Sequence, residues 1–307
     1  MEPHAQGHHG PYLQWIVEAL AERGFKVTLM TLPEMLQHPS FQNIVNRFSG
    51  VVNVVALEGK GSMGSRNGGV VNLIHREWDY WWTFREWYRK QAGTVKPDVV
   101  FLPYLDYCLY AFGLFGSPFG KAPWLGITMR PSFHYREMGI VASRPALGKV
   151  KKALFFRLLR SKYFKCLLTI DEPLMEYLRG RRAGAEKVKF LPEPAAMGDL
   201  PDRSQAKRTL EIDSSRRVIL VYGSLSLRKG IAELLRAIAD PMCPQYVDVL
   251  FAGKIVGDMR PFLSEHWVQA LQREQRIKVT DHFISVEDER VLFAGADIVW
   301  LGYRGHY

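Results

Sequence analysis

The residues best placed to do chemistry sit in one short run. A strand-like stretch, Arg217–Tyr222, ends at Gly223 and passes through Ser224-Leu225-Ser226-Leu227 to two adjacent cations, Arg228 and Lys229. Gly230 follows, and the helical pattern Gly230–Ile238 begins there. Free backbone N–H groups and the dipole at a helix start favour an anion. A guanidinium and an ammonium add two full charges and several donors, which suits a diphosphate. A solvated basic loop, with Gly230 serving only the turn, fits the same spacing. The run is not a Walker loop, because the order Gly-x4-Gly-Lys-Ser/Thr is absent. His4, His8 and His9 lie near the amino end without a recognisable acidic partner, so no metal site is expected.

Alternating strand and helix signals must position these groups. Strand-like runs are Lys26–Met30, Val51–Leu57, Asp98–Leu102, Trp124–Thr128, Leu167–Ile170, Val188–Leu191, Arg217–Tyr222, Val247–Ala252 and Asp297–Leu301. Several are continuously apolar, as strands covered on both faces are. Helical patterns fall at Tyr12–Arg23, His75–Gln91, Leu147–Lys162, Pro173–Arg179, Gly230–Ile238, Ser264–Arg273 and Val286–Ala294. Such alternation predicts an α/β chain of two Rossmann-like, doubly wound domains facing a cleft. The N-terminal domain is expected over 1–190. A Pro- and Gly-punctuated linker or crossover covers 191–216, and a partial C-terminal domain covers 217–307. No strand is expected before the first helix, and about three strands are expected in the second half. The chain therefore reads as truncated at both ends.

Composition narrows the class. Apolar residues make up 47% and charged residues 23%, which excludes disorder, collagen and coiled coil. Three scattered cysteines, Cys108, Cys166 and Cys243, form neither a disulfide framework nor a zinc spacing, as in a reducing cytosol. The first residues lack the order of a signal peptide. Val99–Gly120 carries a single charge, Asp106, but its prolines and glycines read as a strand, a loop and a short core helix. Lys+Arg number 41 against 31 Asp+Glu, a net charge of +10 that favours nucleic acid, anionic lipid or a phosphorylated substrate. No nucleic-acid module is recognisable, so no nucleic-acid partner is expected.

Several segments, taken in order, resemble glycosyltransferase family 4, the group 1 transferases of the GT-B fold. Gly223 to Gly230 is similar to the family's donor-site signature. Gly7-His8-His9-Gly10 with Ala19–Thr28 resembles its opening glycine loop and first helix. Lys187–Pro194 resembles its crossover strand. Phe283-Ile284-Ser285, Glu287-Asp288 and Phe293–Val299 resemble its segment before the last strand seen here. The resemblance implies transfer of a sugar, with retention, from a nucleotide-diphosphate sugar to a glycan or lipid-linked acceptor, with no cofactor and no metal. It implies a hexosyltransferase-like enzyme of glycan biosynthesis in the cytoplasm, at or near the inner membrane face.

Carried over by position, Lys229 holds the donor diphosphate as leaving group, with Arg228, Ser224 and Gly223 beside it. The family's arginine falls on Ser224 here, which leaves Arg228 to substitute. Gly10 and His9 form the acceptor-side loop, Gly253 and Phe283 the nucleotide pocket, and His134 is the catalytic candidate, although Arg130 occupies the family's histidine slot. The family's acidic pair is not recognisable in Arg304–Tyr307.

Two further segments carry two readings each. The helix His75–Gln91 is rich in Trp, Tyr and Phe, for core packing or for stacking on an acceptor. The segment 147–165 is basic and amphipathic, either a core helix with a solvated back or a rest for an anionic membrane surface. Alternatives to the transferase are a sugar-nucleotide epimerase on the same fold and a non-catalytic anion- or nucleic-acid-binding protein.

Overall fold

The computed structural model describes residues 1–3, 9–59, 70–140, 147–180, 184–193 and 199–303. The chain divides into two units, Met1–Pro194 and Ala195–Tyr307.

The first unit runs α1 (His9–Glu22), β1 (Val27–Thr31), α2 (Pro39–Arg47), β2 (Val52–Ala56), α3 (Val70–Ala92), β3 (Val100–Leu102), α4 (Leu109–Phe115), β4 (Trp124–Thr128), α5 (Gly148–Leu159), β5 (Phe164–Thr169), α6 (Glu172–Leu178) and β6 (Val188–Phe190). All strand pairs are parallel, β1 with β2 and then β3-β4-β5-β6. The gap between these two sheets is filled by Met1–Pro3. The Glu2 N–H donates to Met30 O at 3.0 Å, and the Met1 amino group donates to Phe101 O at 2.9 Å. With that segment counted as a strand, the seven strands run 3-2-1-4-5-6-7 in chain order, the Rossmann order 3-2-1-4-5-6 with one further strand at its end. The expectation that nothing strand-like precedes the first helix is corrected. Three residues are too short a run for periodicity to register.

The aromatic helix α3 is mainly a core element. Tyr80, Phe84 and Trp87, spaced four and three apart, are fully buried. The apolar stretch Val99–Gly120 becomes β3 and α4. At Gly113 an added Cβ would lie 2.3 Å from Leu154 O, so α4 meets α5 backbone to backbone. Among the described residues no helix is long and apolar enough to cross a membrane.

The second unit runs α7 (Arg203–Thr209), β7 (Arg217–Tyr222), α8 (Ile231–Ala239), β8 (Val247–Ala252), α9 (Met259–Leu263), α10 (His266–Arg273), β9 (Ile277–Thr280), α11 (Val286–Gly295) and β10 (Ile298–Val299). Its parallel sheet has the order β10-β7-β8-β9. Four strands therefore stand where about three were expected. β9 escaped notice because Ile277-Lys278-Val279-Thr280 is an edge strand in which Lys278 and Val279 face solvent.

The supposed linker is also shorter than 191–216. Asp202 caps α7 by accepting from the Ser204 and Gln205 N–H groups at 2.9 and 3.1 Å. α7 then lies against α11, where Gly295 leaves room for Leu210. Lys207 Nζ, almost wholly buried, donates to Asp297 Oδ2 at 3.2 Å and Arg216 O at 2.7 Å. Asp297 also accepts from the Val218 N–H at 2.9 Å, so α7 is tied to the sheet of this unit.

Candidate functional site

In the second unit β7 leads to β8 and β9 on one side, and the chain then returns to place β10 on the other. The order reverses between β7 and β10. In an open α/β sheet the crevice at the carboxyl ends of two such strands is where ligands bind. The Arg228–Lys229 run lies there. β7 ends at Gly223, whose φ of 87° takes the chain out of the strand. Leu225 donates to Lys254 O at 2.8 Å and accepts from the Val256 N–H at 3.0 Å, which fixes the loop on its neighbour. A single helical turn, Leu227–Lys229, then presents both cations. Gly230, left-handed at φ 66°, starts α8. α8 buries Ile231, Leu234, Leu235 and Ile238 and is anchored by that face.

Lys229 is the notable side chain. It is 7% exposed, and its ammonium donates to the Tyr222 carbonyl at the end of β7. Gly223 packs beneath it: a Cβ there would stand 3.3 Å from Lys229 Nζ. Burial, and then the neighbouring Arg228 charge, hold the Lys229 pKa below the ordinary lysine value. A cation kept at electrostatic cost beside a second cation is relieved by an anion. Ser224 is exposed at the loop tip. Gly253, at the end of β8, is buried with φ 139°, and a Cβ there would come within 2.2 Å of Gly223 O. The ends of β7 and β8 therefore touch through their backbones. Phe283, beyond the end of β9, is 90% exposed, an unusual place for a phenyl ring. Gly223, Ser224, Arg228, Lys229, Gly253 and Phe283 thus all belong to the carboxyl edge of one sheet.

Sequence reasoning missed two residues of this edge. Trp300 and Tyr303 follow β10. The Trp300 indole N–H donates to Lys229 O at 2.8 Å, and the Tyr303 ring centre lies 4.9 Å from the Arg228 guanidinium carbon and 5.8 Å from Lys229 Nζ. The only sequence signal was the aromatic pair in Trp300-Leu301-Gly302-Tyr303, next to the recognised Ala-Asp strand.

In the first unit His9 and Gly10 are the first two residues of α1, so they stand in the helix's opening turn rather than in a loop before it. His9 is not without acidic company. Its Nδ1 lies 3.3 Å from a buried Glu2 carboxylate oxygen, and its Nε2 lies 2.8 Å from the Tyr107 hydroxyl. Its ring also stacks with Tyr107 and tilts against Tyr104, at centroid distances of 5.5 and 4.4 Å. His4 and His8, with Gly7, lie outside the described residues, as do Arg304–Tyr307, where the acidic pair was sought. Among the described residues no group of three or more His, Cys, Asp or Glu side chains could hold a metal ion.

His134 requires correction. Its imidazole has no solvent exposure; it packs against the Phe133, Tyr135 and Tyr177 rings, with Nε2 3.3 Å from Asp171 Oδ2. A side chain enclosed on all sides does not meet a substrate, and this one is part of the core beside the start of α6. Arg130 is the exposed residue at the end of β4. Its N–H, the Met129 N–H and the Thr128 hydroxyl all donate to the Asp106 carboxylate, at 2.8, 2.7 and 3.0 Å.

No protein-family model and no curated protein sequence matches this chain. Solved structures do match in fold. Sucrose-phosphate synthase from Thermosynechococcus elongatus aligns at TM-score 0.64 and 16% identity, over 95% of this chain and 69% of that one. HepE from Anabaena, solved with UDP-glucose, aligns at TM-score 0.59 and 15% identity, over 97% and 71%. WaaG, a glycosyltransferase of lipopolysaccharide biosynthesis, aligns at 0.55 and 16%, over 94% and 70%. These neighbours are glycosyltransferases of the GT-B fold, and that is the fold of this chain: α/β, with two Rossmann-like units of parallel strands.

Proposed function

We propose that the chain is a glycosyltransferase of the family 4 type that takes its sugar from a nucleotide-diphosphate donor. The observation that carries this is the buried Lys229 with Arg228 on one helical turn at the β7/β10 reversal point, a pair of cations where ligands of such sheets bind. The fold neighbour HepE, solved with UDP-glucose, supports the donor class. In transfer, the bond from the sugar's anomeric carbon to the distal phosphate oxygen breaks, and a bond from an acceptor hydroxyl oxygen forms as its proton departs. Negative charge grows on the departing diphosphate. Lys229 and Arg228 stabilise that charge in place of a metal ion, and their effect is larger in the transition state than in the bound donor. Gly223 and Gly253 keep the floor of the site free of side chains, and Phe283 offers a ring for the base. Retention of configuration, a hexose as the sugar, and a glycan or lipid-linked acceptor belong to the same proposal.

The acceptor side of the proposal places the first unit at the cytoplasmic face of an anionic membrane. Phe155, Leu158 and Leu159 of α5 are buried in the core, so this helix does not lie down on lipid with its apolar face. Its exposed Lys149, Val150 and Arg157, with Arg160 just past its end and the exposed Leu114 and Phe115 of the adjoining α4, supply charge and apolar contact instead.

Isothermal titration with nucleoside diphosphates tests the donor reading. Wild type binds at least one of them, and Lys229→Ala weakens that binding about tenfold or more, as expected for losing a buried charge-assisted contact. Absence of binding by the wild type rejects it. Product analysis with donor alone separates transfer from epimerisation.

A further inference from the structure

We propose that Trp300 and Tyr303 are positioning residues that set Arg228 and Lys229 for the diphosphate. The inference rests on the donor-site reading above and extends it to residues about seventy positions away in the chain. The two cations are neighbours on one helical turn, and side by side they repel. Something must hold them in register while no anion is present. The Tyr222 carbonyl takes one of the three Lys229 N–H donors. The segment after β10 adds to that hold.

That segment is built to reach the turn. The Trp300 indole N–H donates to the Lys229 carbonyl at 2.8 Å and pins the backbone of the turn to β10. Gly302 folds back over the indole so closely that a Cβ on it would lie 2.3 Å from the Trp300 ring. Its carbonyl in turn sits where a Cβ on Gly230 would be, 2.2 Å away. Two glycines and one indole thus bring the two backbones together, with no space for a side chain between them. The arrangement delivers the Tyr303 ring to both cations, 4.9 Å from the Arg228 guanidinium carbon and 5.8 Å from Lys229 Nζ. The ring's electron-rich face lessens the repulsion between the two charges and orients them. Burial first, and then the adjacent Arg228 charge, lower the Lys229 pKa, so the crowding is a secondary contribution.

A merely structural role for the pair would affect folding and nothing else. A positioning role has a different signature: UDP affinity falls, and the pH at which binding is lost also moves. Without the ring, Lys229 gives up its proton at lower pH, so UDP binding declines earlier as pH rises. The experiment is titration of the full 307-residue chain with UDP across a pH series, for wild type, Trp300→Phe, Tyr303→Leu, Tyr303→Phe and Lys229→Ala. Trp300→Phe loses the hydrogen bond and weakens binding about fivefold. Tyr303→Leu weakens it about threefold and shifts the pH profile downward, and Tyr303→Phe, which keeps the ring, restores both. Tyr303 is 46% exposed, so its variants remain readable if Trp300→Phe fails to fold. Tyr303→Leu with wild-type affinity and pH profile overturns the inference, while loss of binding in Lys229→Ala alone leaves the donor-site reading standing. No UDP binding by wild type overturns both.

Discussion

Glu77 of α3 stores a pH-dependent destabilisation that one substitution removes. The side chain is 6% exposed and accepts the Ala111 N–H, in the first turn of α4, at 2.8 Å. Burial raises its pKa from 4.5 to about 7, even though the Ala111 N–H and the nearby Lys151 favour the charged form. The folded state therefore holds a proton that the unfolded chain has already released above pH 4.5. Stability from this site is intact below about 4.5, is lost as pH rises through the window to about 7, and stays low above it. A rise of about 2.5 units at 1.36 kcal/mol each is a loss of about 3 kcal/mol. Glu77→Gln keeps an oxygen for the Ala111 N–H and has nothing to ionise. Urea denaturation at pH 5 and pH 8 for both proteins provides the assay. The difference between the two proteins isolates Glu77 from the histidines and from Asp106, whose pKa burial also raises. The variant is expected to lie within about 1 kcal/mol of wild type at pH 5 and to be more stable by about 3 kcal/mol at pH 8. Equal stabilities at both pH values, or a less stable variant at pH 8, would refute the reasoning.

The remaining predictions concern the loops and the surface. Gly253→Ala places a methyl 2.2 Å from Gly223 O at φ 139°, so thermal stability and UDP affinity both fall, with about 1–3 kcal/mol of strain from the backbone alone. Gly257→Ala, at φ 58° with nothing within 4 Å, shows only about 1–2 kcal/mol of strain and keeps UDP affinity; equal effects at the two glycines would contradict the close approach. Sedimentation with anionic vesicles is expected to capture the chain at low salt. Reversing charge at Arg157 and Arg160 reduces that binding about tenfold or more, and capture that ignores both salt and these charges would sink the membrane reading.

How much of this was legible in the sequence depends on where the cooperating residues lie. The Gly223–Gly230 run was readable because strand end, cations and helix start are contiguous, and the physics of an anion site is local there. The same holds for Tyr80, Phe84 and Trp87, whose spacing reveals a buried helix face. Trp300 and Tyr303 were not readable, because their partners are far away in sequence and only the pairing of β10 with β7 brings them together. The burial of His134 is not readable for a related reason: besides its neighbours Phe133 and Tyr135, its enclosure comes from Asp171 and Tyr177 at and within α6, about forty residues on. Met1–Pro3 and β9 escaped because a three-residue segment and a polar edge strand carry almost no periodic signal. α7 is hidden within the expected linker because its sequence is a polar mixture, and only the capping Asp202 and the ion pair from Lys207 to Asp297 show where it belongs.

The most direct test of the central claim is a crystal structure of the chain grown with UDP. The account predicts the diphosphate at the carboxyl ends of β7 and β10, within hydrogen-bond distance of Lys229 Nζ and the Arg228 guanidinium, with the uracil against Phe283. UDP bound elsewhere on the chain, with Lys229 still turned to the Tyr222 carbonyl and no phosphate beside it, would contradict it.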